Sequence, residues 1–269
     1  MEGRNNMGRY HLCQVKRAEH PYYITSISTN IYTIEELCFY LQQNVYLIDQ
    51  SIANEELCLW IRDELGLKRL YRKLQEQLEQ EDESIVKFIM PIFKEISYLT
   101  PGEYKEIQEQ ISRIEIQPED LRRKMKADYL VKYEMYSNAV NEYYQILKER
   151  NPGNLGIQFY ASILNNMAVA YAKLFLFEEA ADCLWQSYGI VRSNETWKRY
   201  LSLLPLYLSR EEYSRKLKEL SVPKEQIRKI EEQNREIVKK AVAKKMTGIH
   251  PEEFLQEAME KYSKSTGSC

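Results

Sequence analysis

The residues best suited to catalysis or metal binding are few in this 269-residue chain. It has three histidines, His11, His20 and His250, and the group formed by His11, Cys13 and His20 has a spacing that matches no familiar metal site. No H-E-x-x-H, Gly-rich phosphate loop or G-x-S-x-G motif occurs in the sequence. We therefore predict that the protein is not an enzyme, and we expect it to need no cofactor and no metal.

The cysteines and the hydropathy pattern indicate a compartment. The five cysteines form no C-x-x-C pair and are widely spaced; they are Cys13, Cys38, Cys58, Cys183 and Cys269. An odd number at such spacing is typical of reduced thiols packed in helices. No apolar run approaches the length of about 18 residues that a membrane span requires, and the first ten residues are polar. We predict a cytoplasmic protein that does not insert into a membrane.

The charge distribution argues against nucleic acid as a partner. The formal net charge is −2, although basic stretches occur at residues 122–126 and 239–245. A nucleic-acid surface would need a net basic domain with interleaved aromatic residues. Acidic residues on the same stretches favour solvated helix faces instead.

Small residues repeat at one spacing in the second half of the chain. Ala127 and Ala139 lie 12 residues apart, as do Ala168 and Ala180, and the two pairs are offset by 41 residues. Each pair falls in an apolar-periodic stretch that a short polar break interrupts. This layout predicts two antiparallel helical hairpins whose helices touch through alanine.

The second of these units resembles the tetratricopeptide repeat, a family of helical hairpins. The matching positions, in chain order, are Leu164, Met167, Ala168, Tyr171, Ala180, Leu184 and Ser187. The first unit matches less fully, through Ala127, Leu130, Ala139, Tyr143 and Ile146. A third unit can be drawn from Trp197, Tyr200, Leu201 and Leu204, but it contains Pro205 and lacks the second alanine. The resemblance covers about residues 119–220, and its period of 41 residues exceeds the family's period of about 34.

The predicted fold is all-α: a short tetratricopeptide-like α-solenoid with a helical N-terminal region and C-terminal capping helices. We assign residues 1–32 to an N-terminal segment, 33–117 to the helical region, 118–222 to the repeats, and 223–269 to the capping helices and tail. Strands at residues 10–15 and 22–27, joined by a turn at His20-Pro21, would form a short hairpin.

Local sequence signals predict where several helices begin. Capping boxes begin at Thr33, Thr100 and Ser209, and Asn54 is a further N-cap. Pro91 predicts a kink or a break near Met90, because proline removes an internal helix hydrogen bond.

The resemblance implies a concave groove, lined by the first helix of each unit, that binds a peptide or protein. The lining residues would be Lys124, Asp128, Asn165, Asn166, Val169, Lys173, Lys198, Arg199 and Ser202. Some family members hold a terminal carboxylate in this groove, and Lys124, Asn166 and Arg199 lie in matching positions. Asp128 and Glu195 would repel such a carboxylate, which makes a general peptide groove the stronger prediction. Asn165 and Asn166 have open interpretations: they contact a peptide backbone, or they are exposed to solvent, or they form bonds between helices.

We predict a non-catalytic adaptor or scaffold that binds a protein or peptide in this groove. The alternative is a signalling regulator in which groove binding repositions the N-terminal helical region. The sequence predicts neither the identity of the partner nor the oligomeric state.

Overall fold

The computed structural model describes residues 16–80, 84–149, 155–245 and 251–267. The chain divides into two compact units, Met1–Arg122 and Arg123–Cys269. In the described residues, the secondary structure is helical apart from one small hairpin, so the all-α prediction is confirmed. The boundary between the units falls inside the helix Glu119–Lys132.

A two-stranded antiparallel hairpin begins the described part of the chain. Strand β1 (Tyr22–Ile24) pairs with strand β2 (Thr29–Ile31), and a 3₁₀ turn joins them. Ser28 closes this turn in the left-handed conformation, with φ of 49°. The sequence predicted a strand at residues 22–27; residues 22–24 form a strand, whereas residues 25–27 form the 3₁₀ turn. The predicted pairing across a turn at His20-Pro21 stays a prediction. The expected strand at residues 10–15 lies outside the described residues.

Five helices complete the first unit, and a buried cluster of leucine, isoleucine and phenylalanine side chains forms its core. They are α1 (Ile34–Gln43), α2 (Glu55–Asp63), α3 (Lys68–Leu78), α4 (Ile85–Glu95) and α5 (Pro101–Glu115). Helix α2 packs against α3, α3 against α4 and α4 against α5, and α1 packs against α4. Apolar residues recur at helical spacing on α1 and α2, so each helix buries one face.

The predicted helix starts are confirmed at the level of hydrogen bonds. Thr33, Thr100 and Ser209 each form a complete capping box with the glutamate three residues later. Asn54 Oδ1 accepts a bond of 2.7 Å from the backbone N–H of Leu57. These bonds satisfy N–H groups that have no partner within a helix, which explains why short sequence signals locate the starts.

Helix α4 does not break at Pro91. The helix runs from Ile85 to Glu95 through the proline, so a break near Met90 is not present. Ile89, Ile92 and Phe93 on either side of the proline are buried in the core of the first unit. Burial of these side chains compensates for the missing hydrogen bond.

The second unit consists of helices that pack mainly against their neighbours in the sequence. They are α6 (Glu119–Lys132), which contains the unit boundary, α7 (Tyr136–Glu149), α8 (Gly156–Lys173), α9 (Phe177–Val191), α10 (Asn194–Tyr207), α11 (Arg210–Glu219), α12 (Lys224–Lys245) and α13 (Pro251–Thr266). Each of α7 to α10 contacts the next helix, α12 contacts α10, and α13 contacts α7.

The repeated alanines lie where neighbouring helices meet. Ala168 on α8 and Ala180 on α9 are buried, and these two helices pack against each other. Ala127 on α6 and Ala139 on α7 are also buried. Ion pairs join Arg123 to Glu149 at 3.1 Å and Lys126 to Glu142 at 2.6 Å. Since these pairs connect the start of α6 to the end of α7, the two helices are antiparallel neighbours.

Candidate functional site

The carboxylate of Asp128 connects three helices of the second unit. On α6 itself, Lys124 Nζ lies 2.5 Å from Asp128 Oδ2. The hydroxyl of Tyr143 on α7 donates to Asp128 Oδ1. Asn166 Nδ2 on α8 donates to the same oxygen at 2.8 Å. Three donors therefore bind one carboxylate, an arrangement that holds α6, α7 and α8 in register.

Burial keeps the Tyr143 hydroxyl protonated. The side chain is fully buried, and this burial, together with the negative charge of Asp128, raises the pKa of Tyr143 well above its usual range. The phenol thus acts as a hydrogen-bond donor and not as an acid or base near neutral pH. This polar cluster is suited to fixing helices and not to proton transfer.

Asn165 takes part in a second polar network between helices. Its amide nitrogen donates to the Ala161 carbonyl at 3.0 Å and to Ser187 Oγ on α9 at 2.9 Å. Thr196 Oγ1 on α10 donates to Asn165 Oδ1 at 3.2 Å. Both amides of the Asn165-Asn166 pair form bonds between helices in the structure, and contact with a peptide backbone stays a prediction.

The three residues that match a carboxylate clamp are already bound to acidic side chains. Lys124 and Asn166 contact Asp128, and Arg199 Nε lies 3.1 Å from Glu195 Oε1. A peptide carboxylate would have to compete with these acids for the same donors. The geometry therefore disfavours recognition of a terminal carboxylate at this surface.

The remaining predicted groove residues divide into exposed and covered positions. Val169, Lys173 and Lys198 have exposed side chains, and 38% of Val169 is accessible to solvent. Ser202 is half-buried, and its carbonyl accepts a bond of 3.1 Å from Asn234 of α12. Helix α12 therefore lies beside Ser202, and the exposed part of the predicted surface ends before this residue.

Two of these bonds connect α6, α8 and α10, the first helices of the three predicted repeats. Asp128 to Asn166 joins α6 to α8, and Thr196 to Asn165 joins α8 to α10. Single side-chain bonds therefore connect α6 to α8 and α8 to the start of α10, while α9 contacts both α8 and α10. All nine predicted groove residues belong to α6, α8 and α10.

A cluster of aromatic rings on α9 and α10 was missed by the sequence analysis. Trp185, Tyr188, Trp197 and Tyr200 lie with ring centroids 5.0 to 6.3 Å apart. Trp185 is exposed, whereas Tyr200 is buried. The signal was present as two aromatic pairs, each three residues apart on one helix, a spacing that places both rings of a pair on the same side.

The described histidine is bonded to a glutamate, and the described cysteines are buried. His20 Nδ1 lies 2.9 Å from Glu64 Oε1, and hydrogen bonds from residues 19 and 20 lower the pKa of Glu64. Cys38, Cys58 and Cys183 are buried free thiols, and burial raises the pKa of Cys58 to about 11 and of Cys183 to about 12. Within the described ranges, no three metal-ligating side chains converge. His11, Cys13, His250 and Cys269 lie outside the described residues.

No helix in the described part of the chain has both the length and the apolar character needed to cross a membrane. Comparison with known proteins returned no matching family model, no similar curated protein and no similar solved structure.

Proposed function

We propose that the second unit is a tetratricopeptide-like array that binds a peptide or protein partner along α6, α8 and α10, and that the protein is a non-catalytic adaptor in the cytoplasm. The observation that supports the proposal is the pair of interhelix bonds, Asp128 to Asn166 and Thr196 to Asn165, which connect α6 to α8 and α8 to α10. A repeat groove requires side-by-side first helices, each followed by an antiparallel second helix.

The proposal assigns different tasks to the groove residues. Asp128, Asn165 and Asn166 position the helices, because their polar atoms bond to other helices of the unit. Val169, Lys173 and Lys198 contact the partner, because their side chains are exposed on α8 and α10. One exposed apolar side chain and two exposed ammonium groups suit a peptide that combines an apolar anchor with acidic residues.

Binding without chemistry is the function best supported by the ionisable groups. Lys124, Asp128 and Tyr143 converge, yet they bond to one another and the phenol has a raised pKa. A catalytic group would need a free lone pair or proton directed at a substrate.

Partner capture by a double variant tests the groove. The full-length chain with Val169→Asp and Lys173→Glu should lose most of the host protein that the unaltered chain retains in an affinity pull-down read by quantitative mass spectrometry. The changes place carboxylates where we propose an acidic peptide binds, so we expect at least a tenfold loss.

The matched control carries the same two types of substitution on α7 and α9, the second helices of the first two predicted repeats. Val191 is similarly exposed at 42% and lies on α9, and Lys148 is exposed on α7. Val191→Asp with Lys148→Glu should leave capture unchanged, and circular dichroism should show equal helix content in both variants. Equal capture by the groove variant and the control would contradict the proposal.

A further inference from the structure

The last two helices carry apolar faces that the rest of the second unit leaves uncovered. On α12, Ile237 and Val238 are 64% and 59% exposed. On α13, Leu255, Met259 and Tyr262 are 61%, 62% and 67% exposed, and their spacing places them along one side of the helix. An amphipathic helix is stabilised chiefly by burying such a face, so both surfaces are suited to a partner.

Among the described side chains of α12, those up to Asn234 are supported by the unit and those of residues 235–240 are not. Ile230 is buried, and Asn234 Nδ2 donates to the Ser202 carbonyl of α10 at 3.1 Å. From Arg235 to Lys240 every side chain is exposed. A helical segment shorter than about 12 residues is marginal in water without packing. The second half of α12 therefore needs a cover that α10 does not supply.

The two uncovered helices have complementary charges. Residues 235–245 of α12 contain five lysine or arginine residues and one glutamate. Residues 251–262 at the start of α13 contain four glutamates and one lysine. Among these, Lys239 and Lys240 on one helix and Glu257 and Glu260 on the other are exposed beside the apolar positions. Each helix thus presents an apolar stripe with a charged border of the opposite sign.

We propose that a second copy of this chain covers these faces: the second half of α12 packs on α13 of the other copy, and the reverse contact forms around a two-fold axis. Within one chain, α13 contacts α7 and leaves Ile237 and Val238 exposed, so the cover comes from another molecule. A two-fold dimer uses each surface once per chain and forms the α12–α13 contact twice. This surface is separate from the proposed groove on α6, α8 and α10.

Charge reversal on one helix tests the dimer. The full-length chain should sediment as a dimer in analytical ultracentrifugation at micromolar concentrations. Lys239→Glu with Lys240→Glu should raise the dimer dissociation constant at least tenfold, because glutamates would then face glutamates across the contact. Glu257→Lys with Glu260→Lys should have the same effect from the other side. Added salt should weaken the unaltered dimer, since the opposed charges are exposed.

Mixing the two variants distinguishes contact between copies from contact within one chain. An equimolar mixture should recover a dimer with nearly the original dissociation constant, because each contact again pairs lysine with glutamate. The control, Lys218→Glu with Lys224→Glu, makes an equal charge change at exposed positions outside the contact and should leave the dimer intact. An unaltered chain that stays monomeric at 100 μM, or a mixture that does not recover the dimer, would overturn the proposal.

Discussion

At the scale of single residues, Asp128 is the most consequential side chain of the second unit. It accepts bonds from Lys124, Tyr143 and Asn166, which belong to three successive helices. A hydrogen bond to a charged group contributes more to stability than one between neutral groups. Asp128, which is unfavourable for a carboxylate clamp, therefore stabilises the packing of these three helices.

Removing one donor from this cluster should weaken the second unit. Tyr143→Phe leaves the buried ring in place but deletes the hydroxyl, so we expect the free energy of unfolding to fall by about 1.5–3 kcal/mol. Urea titration followed by circular dichroism measures the change. Tyr144→Phe is the matched control, because the neighbouring ring is exposed at 53% and its loss of a hydroxyl should cost less than about 0.5 kcal/mol. Equal effects of the two variants would show that the bond to Asp128 contributes nothing.

At the scale of elements, the contact between α8 and α9 depends on small residues. Ala168 and Ala180 are buried between helices that pack closely, and a larger side chain cannot be accommodated there without moving one helix.

Enlarging one alanine should therefore destabilise this hairpin. Ala180→Leu adds three carbon atoms to a fully buried position, and overpacking of this kind costs about 1–3 kcal/mol. Thermal unfolding followed by circular dichroism reads the loss as a lower melting temperature. Glu179→Leu introduces the same side chain at the adjacent exposed position and should leave the melting temperature nearly unchanged. An unaltered melting temperature in Ala180→Leu would mean that the helices do not meet through this residue.

The sequence predicted elements better than it predicted contacts between them. Thr33, Thr100 and Ser209 located helix starts correctly because a capping box satisfies backbone groups within a few residues. The 3₁₀ turn at residues 25–27 was not predicted, because the pairing of Tyr22–Ile24 with Thr29–Ile31 depends on a partner that the local pattern does not identify. The Asn165 and Asp128 networks could not be foreseen, since their partners lie on other helices and no local signal specifies which atoms meet.

At the scale of the whole molecule, both units contain ionisable side chains that burial keeps neutral. Burial raises the pKa of Cys58 in the first unit to about 11, and of Cys183 and Tyr200 in the second unit to about 12. In the unfolded chain these groups titrate near their ordinary values of 9.0 for the thiols and 10.0 for tyrosine. Between these two sets of values, the folded state binds more protons than the unfolded state.

Alkaline pH should therefore destabilise the protein. Cys58, Cys183 and Tyr200 contribute fully to the free energy of unfolding below pH 9. This contribution declines as the pH rises toward 12, because the unfolded chain releases protons that the folded chain retains. Urea midpoints should be similar at pH 8 and pH 9 and should then fall at pH 10 and pH 10.5. In a variant with Cys38, Cys58 and Cys183 replaced by alanine, the urea midpoint should begin to fall at a pH about one unit higher. The tyrosines then determine the pH dependence of stability. A midpoint that rises over this range would contradict the assignment.

The aromatic cluster on α9 and α10 also makes intrinsic tryptophan fluorescence a probe of the second unit. The chain has three tryptophans; Trp185 and Trp197 belong to the cluster, whereas Trp60 is buried in the first unit. Intrinsic fluorescence is therefore weighted toward the second unit. Replacing Trp60 by phenylalanine would confine the tryptophan emission to α9 and α10. Unfolding or binding in the second unit could then be followed without an attached dye.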